Sequence, residues 1–154
     1  MSENGPVARL AELGHDVPPV VAPVAAYVPA VQTGQHVYVS GQLPFVDGKL
    51  LATGKCGDTV STEEAKQLAE RCALNLLGAL NALVGLDSVV RVVKIVGFVA
   101  SAPGYTDQPE VVNGASELLG KVFGEAGQHA RSAVGVAELP RNAPVEVEAI
   151  FEVA

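Results

Sequence analysis

Charge is scarce in this chain. Only 18% of its 154 residues are charged, against roughly 25% in an average globular domain, while 49% are hydrophobic. A small protein so poor in charge has difficulty covering its own surface, which favours burial of further surface between subunits. Basic residues are the scarcer kind, with 10 Lys and Arg against 17 Asp and Glu, a net charge of −7 and no basic run. Gripping a phosphate backbone needs a basic face, so a nucleic-acid partner is not expected. The two cysteines, Cys56 and Cys72, have neither paired metal spacing nor the numbers for a disulfide framework. His15, His36 and His129 are too dispersed to read as a metal site, and each reads as a surface or packing residue. Met1 to Pro6 lacks both a basic start and an apolar core, so no signal peptide is expected and the location is expected to be cytoplasmic.

From Val17 to Val46 there is no Lys, Arg, Asp or Glu at all. That run is long enough to suggest a membrane span, but Pro18, Pro19, Pro23 and Pro29 break any helix, and Gln32, Gln35 and His36 fall in its middle. It reads as strands buried at an interface, with no membrane partner. Before it, Val7, Leu10 and Leu13 recur every three residues behind Pro6, a short helix over 6–14. Residues 1–21 thus form a helical extension and linker ahead of a single domain over 22–154, the extension packing on the outside of that domain.

Tyr27–Val31 and Gln35–Ser40 read as a hairpin around Thr33-Gly34. It runs out into Ser40-Gly41-Gln42-Leu43-Pro44, where Gly41 would let a ligand approach the backbone; a plain turn is the alternative. Asp47-Gly48 turns into a short strand at Lys49–Ala52. Ser61 and Glu64 form a capping box that opens the main helix. Its stripe is Ala65, Leu68, Ala69, Cys72, Leu76, Leu80 and Leu83, and Gly85 ends it. An apolar strand over 88–101 and a helix over 110–123 follow. This order predicts an α+β fold: a mixed sheet with two helices on one face, its free face available to other subunits.

The final stretch holds the chemistry. Period-two alternation puts Ser132, Val134 and Val136 on one face and Arg131, Ala133 and Gly135 on the other; Val145, Val147, Ala149 and Phe151 share a face opposite Glu146, Glu148, Ile150 and Glu152. Leu139–Pro144 reads as a hairpin connection. The expected register pairs Val134 with Val147 and Val136 with Val145, setting Ala133 opposite Glu148 and Arg131 one diagonal step away. A guanidinium offers a fork of donors suited to a carboxylate, and a Glu can exchange protons with water or a leaving amine. An ordinary cross-strand ion pair is the plain alternative.

Ala130-Arg-Ser-Ala-Val-Gly-Val-Ala-Glu-Leu-Pro140 with Val145-Glu-Val-Glu-Ala-Ile150 resembles the signature of the Rid family of reactive-intermediate deaminases, also called the YjgF family. Ala22–Val31, Val37-Tyr-Val-Ser-Gly-Gln-Leu-Pro44 and Val111-Val-Asn-Gly-Ala115 support the resemblance, which runs from about Ala22 to the C-terminus, the N-terminal extension marking a longer subfamily. It implies a fold similar to trimeric chorismate mutase, a homotrimer with sites in the clefts between subunits, and hydrolysis of enamine and imine intermediates, released by pyridoxal-phosphate enzymes, to 2-keto acids and ammonia. In this picture Arg131 and Glu148 are catalytic, Arg131 clamping the substrate carboxylate and Glu148 positioning a water, with neither metal nor organic cofactor. Tyr27, Ser40, Gly41 and Asn113 line the cleft. Ala133 stands where many members carry Cys, so a relay through that thiol is absent and the cleft is roomier. Two rival functions stay open: a non-catalytic trimer that binds small carboxylates, and an endoribonuclease or translation inhibitor.

Overall fold

The computed structural model describes residues 4–23 and 25–154. Met1 to Glu3, at the head of the expected extension, and Val24, inside the first resembling block, lie outside the described residues.

The extension opens with α1 (Pro6–Glu12), Pro6 occupying the first turn where its missing N–H is no loss. Leu10 is fully buried, and Arg9 donates from Nη1 to the Val122 carbonyl at 3.0 Å. The chain then crosses Gly78, where the Pro18 carbonyl lies 2.5 Å from the point a Cβ would occupy. The extension therefore drapes over the outer surface of the helical layer.

β1 (Ala30–Thr33) and β2 (His36–Gln42) form the expected hairpin, but β1 begins three residues later than expected, so Tyr27 lies in the bend before it. β3 (Phe45–Val46) and β4 (Lys49–Leu50) make a small separate ribbon. α2 (Thr62–Val84) begins at Ser61, whose hydroxyl accepts from the Glu64 amide at 3.1 Å, and ends at Gly85 with φ 81°. Its stripe is buried as expected except at Leu83, which is 46% exposed. β5 (Val89–Ala100), α3 (Gln108–Phe123), β6 (Ala130–Val136) and β7 (Val145–Val153) complete the chain.

The main sheet runs β1-β2-β7-β5-β6, mixed, with β5 parallel to β6 and the other neighbours antiparallel. α2 and α3 cover one face, so the α+β architecture with two helices on one side holds. No helix among the described residues is long and apolar enough to cross a membrane.

The expected hairpin between β6 and β7 is overturned. β5 lies between them, paired to both, so Val134 does not meet Val147, nor Val136 Val145, nor Ala133 Glu148. Strand β5 is apolar along most of its length and is most stable with both edges hydrogen-bonded. The 137–144 connection easily spans the roughly 9.6 Å of two strand spacings. The facing expected for β6 is also reversed. Arg131 aligns with Ile95 and Ala133 with Gly97, both buried under the helices, while Ser132 and Val134 align with Val96 and Phe98 on the open face. Small residues are needed there because α3 comes close: a Cβ on Gly97 would lie 2.3 Å from Val112, and one on Gly135 2.7 Å from Gln108.

Candidate active site

Arg131 projects from edge strand β6 toward α3. Nη1 donates to Asn113 Oδ1 at 2.7 Å and to Ser116 Oγ at 3.2 Å, and Nη2 donates to the Pro109 carbonyl at 3.3 Å. All three acceptors are neutral. A guanidinium has five donors, so these contacts leave Nε–H and one Nη2–H available. No carboxylate among the described residues forms an ion pair with Arg131. The orientation of Asn113 is set from its other end, where Nδ2 donates to Glu110 Oε2 at 3.3 Å. An amide that donates to a carboxylate must turn its oxygen away, here to Arg131. Glu110 is in turn bound by Lys66 Nζ at 2.8 Å; chiefly through that hydrogen bond, its carboxyl is held below the ordinary glutamate value.

Glu148 does not join this group. It aligns with Val96, next in sequence to the Ile95 that aligns with Arg131. Successive residues of a strand point to opposite faces, so Arg131 lies under the helical layer and Glu148 on the open one. Glu148 shares a cavity of about 430 Å³ with Ser40, Tyr38 and Lys94.

Tyr27 and Gly41 line a different cavity, of about 320 Å³, with Glu146, Val21, Leu43 and Phe45 among its walls. Its geometry originates in a bulge. Val39 pairs with Ala149 but Gln42 with Val147, so β2 carries one residue more than β7 over this interval. Gly41 then sits hard against Glu146, whose Oε1 lies 2.2 Å from where a Cβ on Gly41 would be. Burial pushes the Glu146 carboxyl above the ordinary glutamate value, and the nearby Glu148 charge adds to the shift. Ser40 donates from Oγ to the Val28 carbonyl at 2.7 Å and from its amide to Pro29 at 2.8 Å, fixing the segment that carries Tyr27. Buried Asn75 holds the opposite wall, donating to the Leu43 and Phe45 carbonyls at 3.0 and 3.1 Å.

The structure thus joins Arg131 with Asn113, Tyr27 with Gly41, and Ser40 with Glu148, in three separate places. Ala133 is partly buried against the core, close in sequence to Arg131. Glu146 and Ser116 were not among the expected site residues, and His129, expected to be a surface or packing residue, hydrogen-bonds Ser116. Glu146 shared the alternation of Glu148 and could have been weighed equally. Ser116 became visible only once β6 was laid beside α3. Burial raises the Cys56 thiol to about 11 and also raises the Cys72 thiol, so neither is an activated nucleophile. No group of three or more potential metal ligands occurs among the described residues.

A mixed sheet backed by two helices, with a guanidinium at one edge that pairs with no carboxylate among the described residues and a half-buried carboxyl beside a bulge glycine, defines a small α+β domain. Residues 19–153 match the family model described as Endoribonuclease L-PSP, and the chain belongs to that family, which is the YjgF/Rid family. It is 46% identical over 147 residues to protein TCP17 of Trypanosoma cruzi, covering 94% of this chain and 92% of that one. It is 33% identical over 129 residues to the 2-iminobutanoate/2-iminopropanoate deaminase of Dermatophagoides farinae, covering 83% and 86%. A crystal structure of a protein of unknown function from Agrobacterium tumefaciens matches with a TM-score of 0.89 at 45% identity, over 96% of this chain and 91% of that one.

Proposed function

We propose that this protein hydrolyses 2-imino and enamino acids to 2-keto acids and ammonia. The observation that carries the reading is the state of Arg131: a guanidinium oriented by three neutral acceptors, with no carboxylate in ion-pair reach among the described residues. A substrate carboxylate would be its natural counter-ion, met by the two remaining N–H donors. The name of the Dermatophagoides relative agrees with this chemistry.

Glu146 takes the acid–base role expected of Glu148. It is half-buried against Gly41 in the cavity that Tyr27 lines, and a carboxyl there can first accept a proton from water and later return one. The water oxygen adds to the imine carbon while the nitrogen gains a proton, giving a carbinolamine. That intermediate collapses to the C=O group as protonated nitrogen leaves as ammonia. Tyr27 and the backbone at Ser40 and Gly41 would complete the cleft.

Arg131 and Glu146 stand on opposite faces of one sheet and two strands apart, so they can share a substrate only if a second copy supplies one of them. A homotrimer with inter-subunit clefts meets that requirement. The open face also presents Val31, Tyr38 and Val134, which are 52, 49 and 42% exposed, as apolar surface for such contacts. The substrate would come from enzymes that release imines, as pyridoxal-phosphate dehydratases do.

The test generates an imine enzymatically, traps what remains with semicarbazide, and follows the loss of trapping. Wild type should accelerate hydrolysis, and Arg131→Ala and Glu146→Gln should each remove most of the gain. Binding of 2-keto acids without acceleration would make the protein a carboxylate-binding module instead. Cleavage of RNA under the same conditions would favour the activity after which the family model is described. The net charge of −7 weighs against that outcome.

A further inference from the structure

We propose that Ser116 and His129 are positioning residues that hold the Arg131 guanidinium in the plane needed for carboxylate capture. The inference rests on the assignment of Arg131 as the carboxylate-binding group. His129 Nδ1 lies 2.6 Å from the Gly127 carbonyl, and His129 Nε2 lies 2.9 Å from Ser116 Oγ. A carbonyl can only accept, so the ring proton resides on Nδ1. In the neutral form of the ring Nε2 is an acceptor, and the single Ser116 hydroxyl proton then goes to it. The oxygen lone pairs that remain face Arg131 Nη1, at 3.2 Å. The direction of each bond therefore follows from the one before it.

The chain of contacts has a fixed anchor. A Cβ on Gly127 would lie 2.4 Å from the Leu119 carbonyl, so this glycine seats the 124–127 turn directly against α3. The Gly127 carbonyl is thereby fixed relative to the helix that carries Ser116. His129 also stands two residues before Arg131, just ahead of β6, and both side chains reach Ser116. Without the imidazole, a serine within a helix readily donates to the carbonyl four residues back, here Val112. That rotation would draw its oxygen away from the guanidinium. Arg131 would keep Asn113 and Pro109 but gain freedom to turn about them.

The experiment measures imine hydrolysis by wild type, Arg131→Ala, Ser116→Ala, Ser116→Thr and His129→Ala, with ¹⁵N NMR of the histidine rings in the intact wild-type protein. Loss of one hydrogen bond to a charged group should raise KM at least about tenfold in Ser116→Ala and His129→Ala, with kcat within about twofold. Ser116→Thr, which keeps the hydroxyl, should recover most of the affinity. The His129 ring should show the Nδ1–H tautomer. Unchanged KM in both alanine variants, alongside an inactive Arg131→Ala, would overturn the positioning role, as would an Nε2–H tautomer. Full activity in Arg131→Ala would instead overturn the assignment of Arg131 itself. The tautomer measurement is made on wild type and stands even if a variant fails to fold.

Discussion

Gly41 and Glu146 occupy nearly the same space: a Cβ on Gly41 would fall 2.2 Å from Oε1 and 3.2 Å from Cγ of Glu146. The atoms in the way belong mostly to the mobile end of a side chain, so Gly41→Ala should displace the carboxyl more than it disturbs the sheet. We expect imine hydrolysis to fall at least about tenfold while stability drops by about 1–2 kcal/mol. Turnover and a urea titration on the same preparation check both halves of the expectation.

Glu146 also gives the stability a defined pH dependence. Its folded-state pKa is raised, by burial first and by Glu148 second. A carboxyl raised on folding contributes stability that is present below the unfolded-state value and is lost as pH rises through the folded value. Glu146→Gln, neutral throughout, should therefore be more stable than wild type near neutrality, and the gap should close as pH falls through the ordinary glutamate range. Urea midpoints of the two proteins across that range measure the gap; a gap that widens in acid would contradict the sign.

Arg131→Lys separates charge from geometry. An ammonium keeps the positive charge but cannot reach Asn113, Ser116 and Pro109 together while presenting a fork to a ligand. KM should rise about tenfold or more, with a stability loss of about 1 kcal/mol from the contacts left unmade. Steady-state kinetics beside thermal melting would show it, and an unchanged KM would mean that bidentate capture is not used.

Gly114 of α3 lies directly against the backbone of α2. A Cβ there would lie 1.9 Å from the Lys66 carbonyl and 3.2 Å from the Glu70 amide. Both are backbone atoms and cannot yield, so Gly114→Ala should cost about 3 kcal/mol or more by forcing α2 and α3 apart. Neighbouring Asn113 would move with α3, so residual activity should fall further than stability alone accounts for. Chemical denaturation and activity under native conditions report the two effects.

Local chemistry in the chain was enough to determine the elements. Ser61 with Glu64, the apolar stripe from Ala65 to Leu80, Thr33-Gly34 and Gly85 each act within a turn or two of themselves, so their consequences are written in adjacent residues. The alternation of 145–153 was equally legible, because a period of two needs only one strand to be seen. Three quoted motifs also sufficed to point to the family. Which strand lies beside which is a different kind of fact. A long apolar strand, β5, takes its place between two segments that look like a hairpin, and that choice is made by pairing energy over residues far apart in the chain. It reversed the face of Arg131, parted it from Glu148 and brought Ser116 and His129 to it. The bulge at Ser40–Gly41 likewise set Glu146 against the backbone of another strand, a contact between residues about a hundred positions apart. Local sequence decides how a segment folds; only the packed sheet decides which side chains meet, because burial and hydrogen-bond pairing are satisfied by the whole molecule at once.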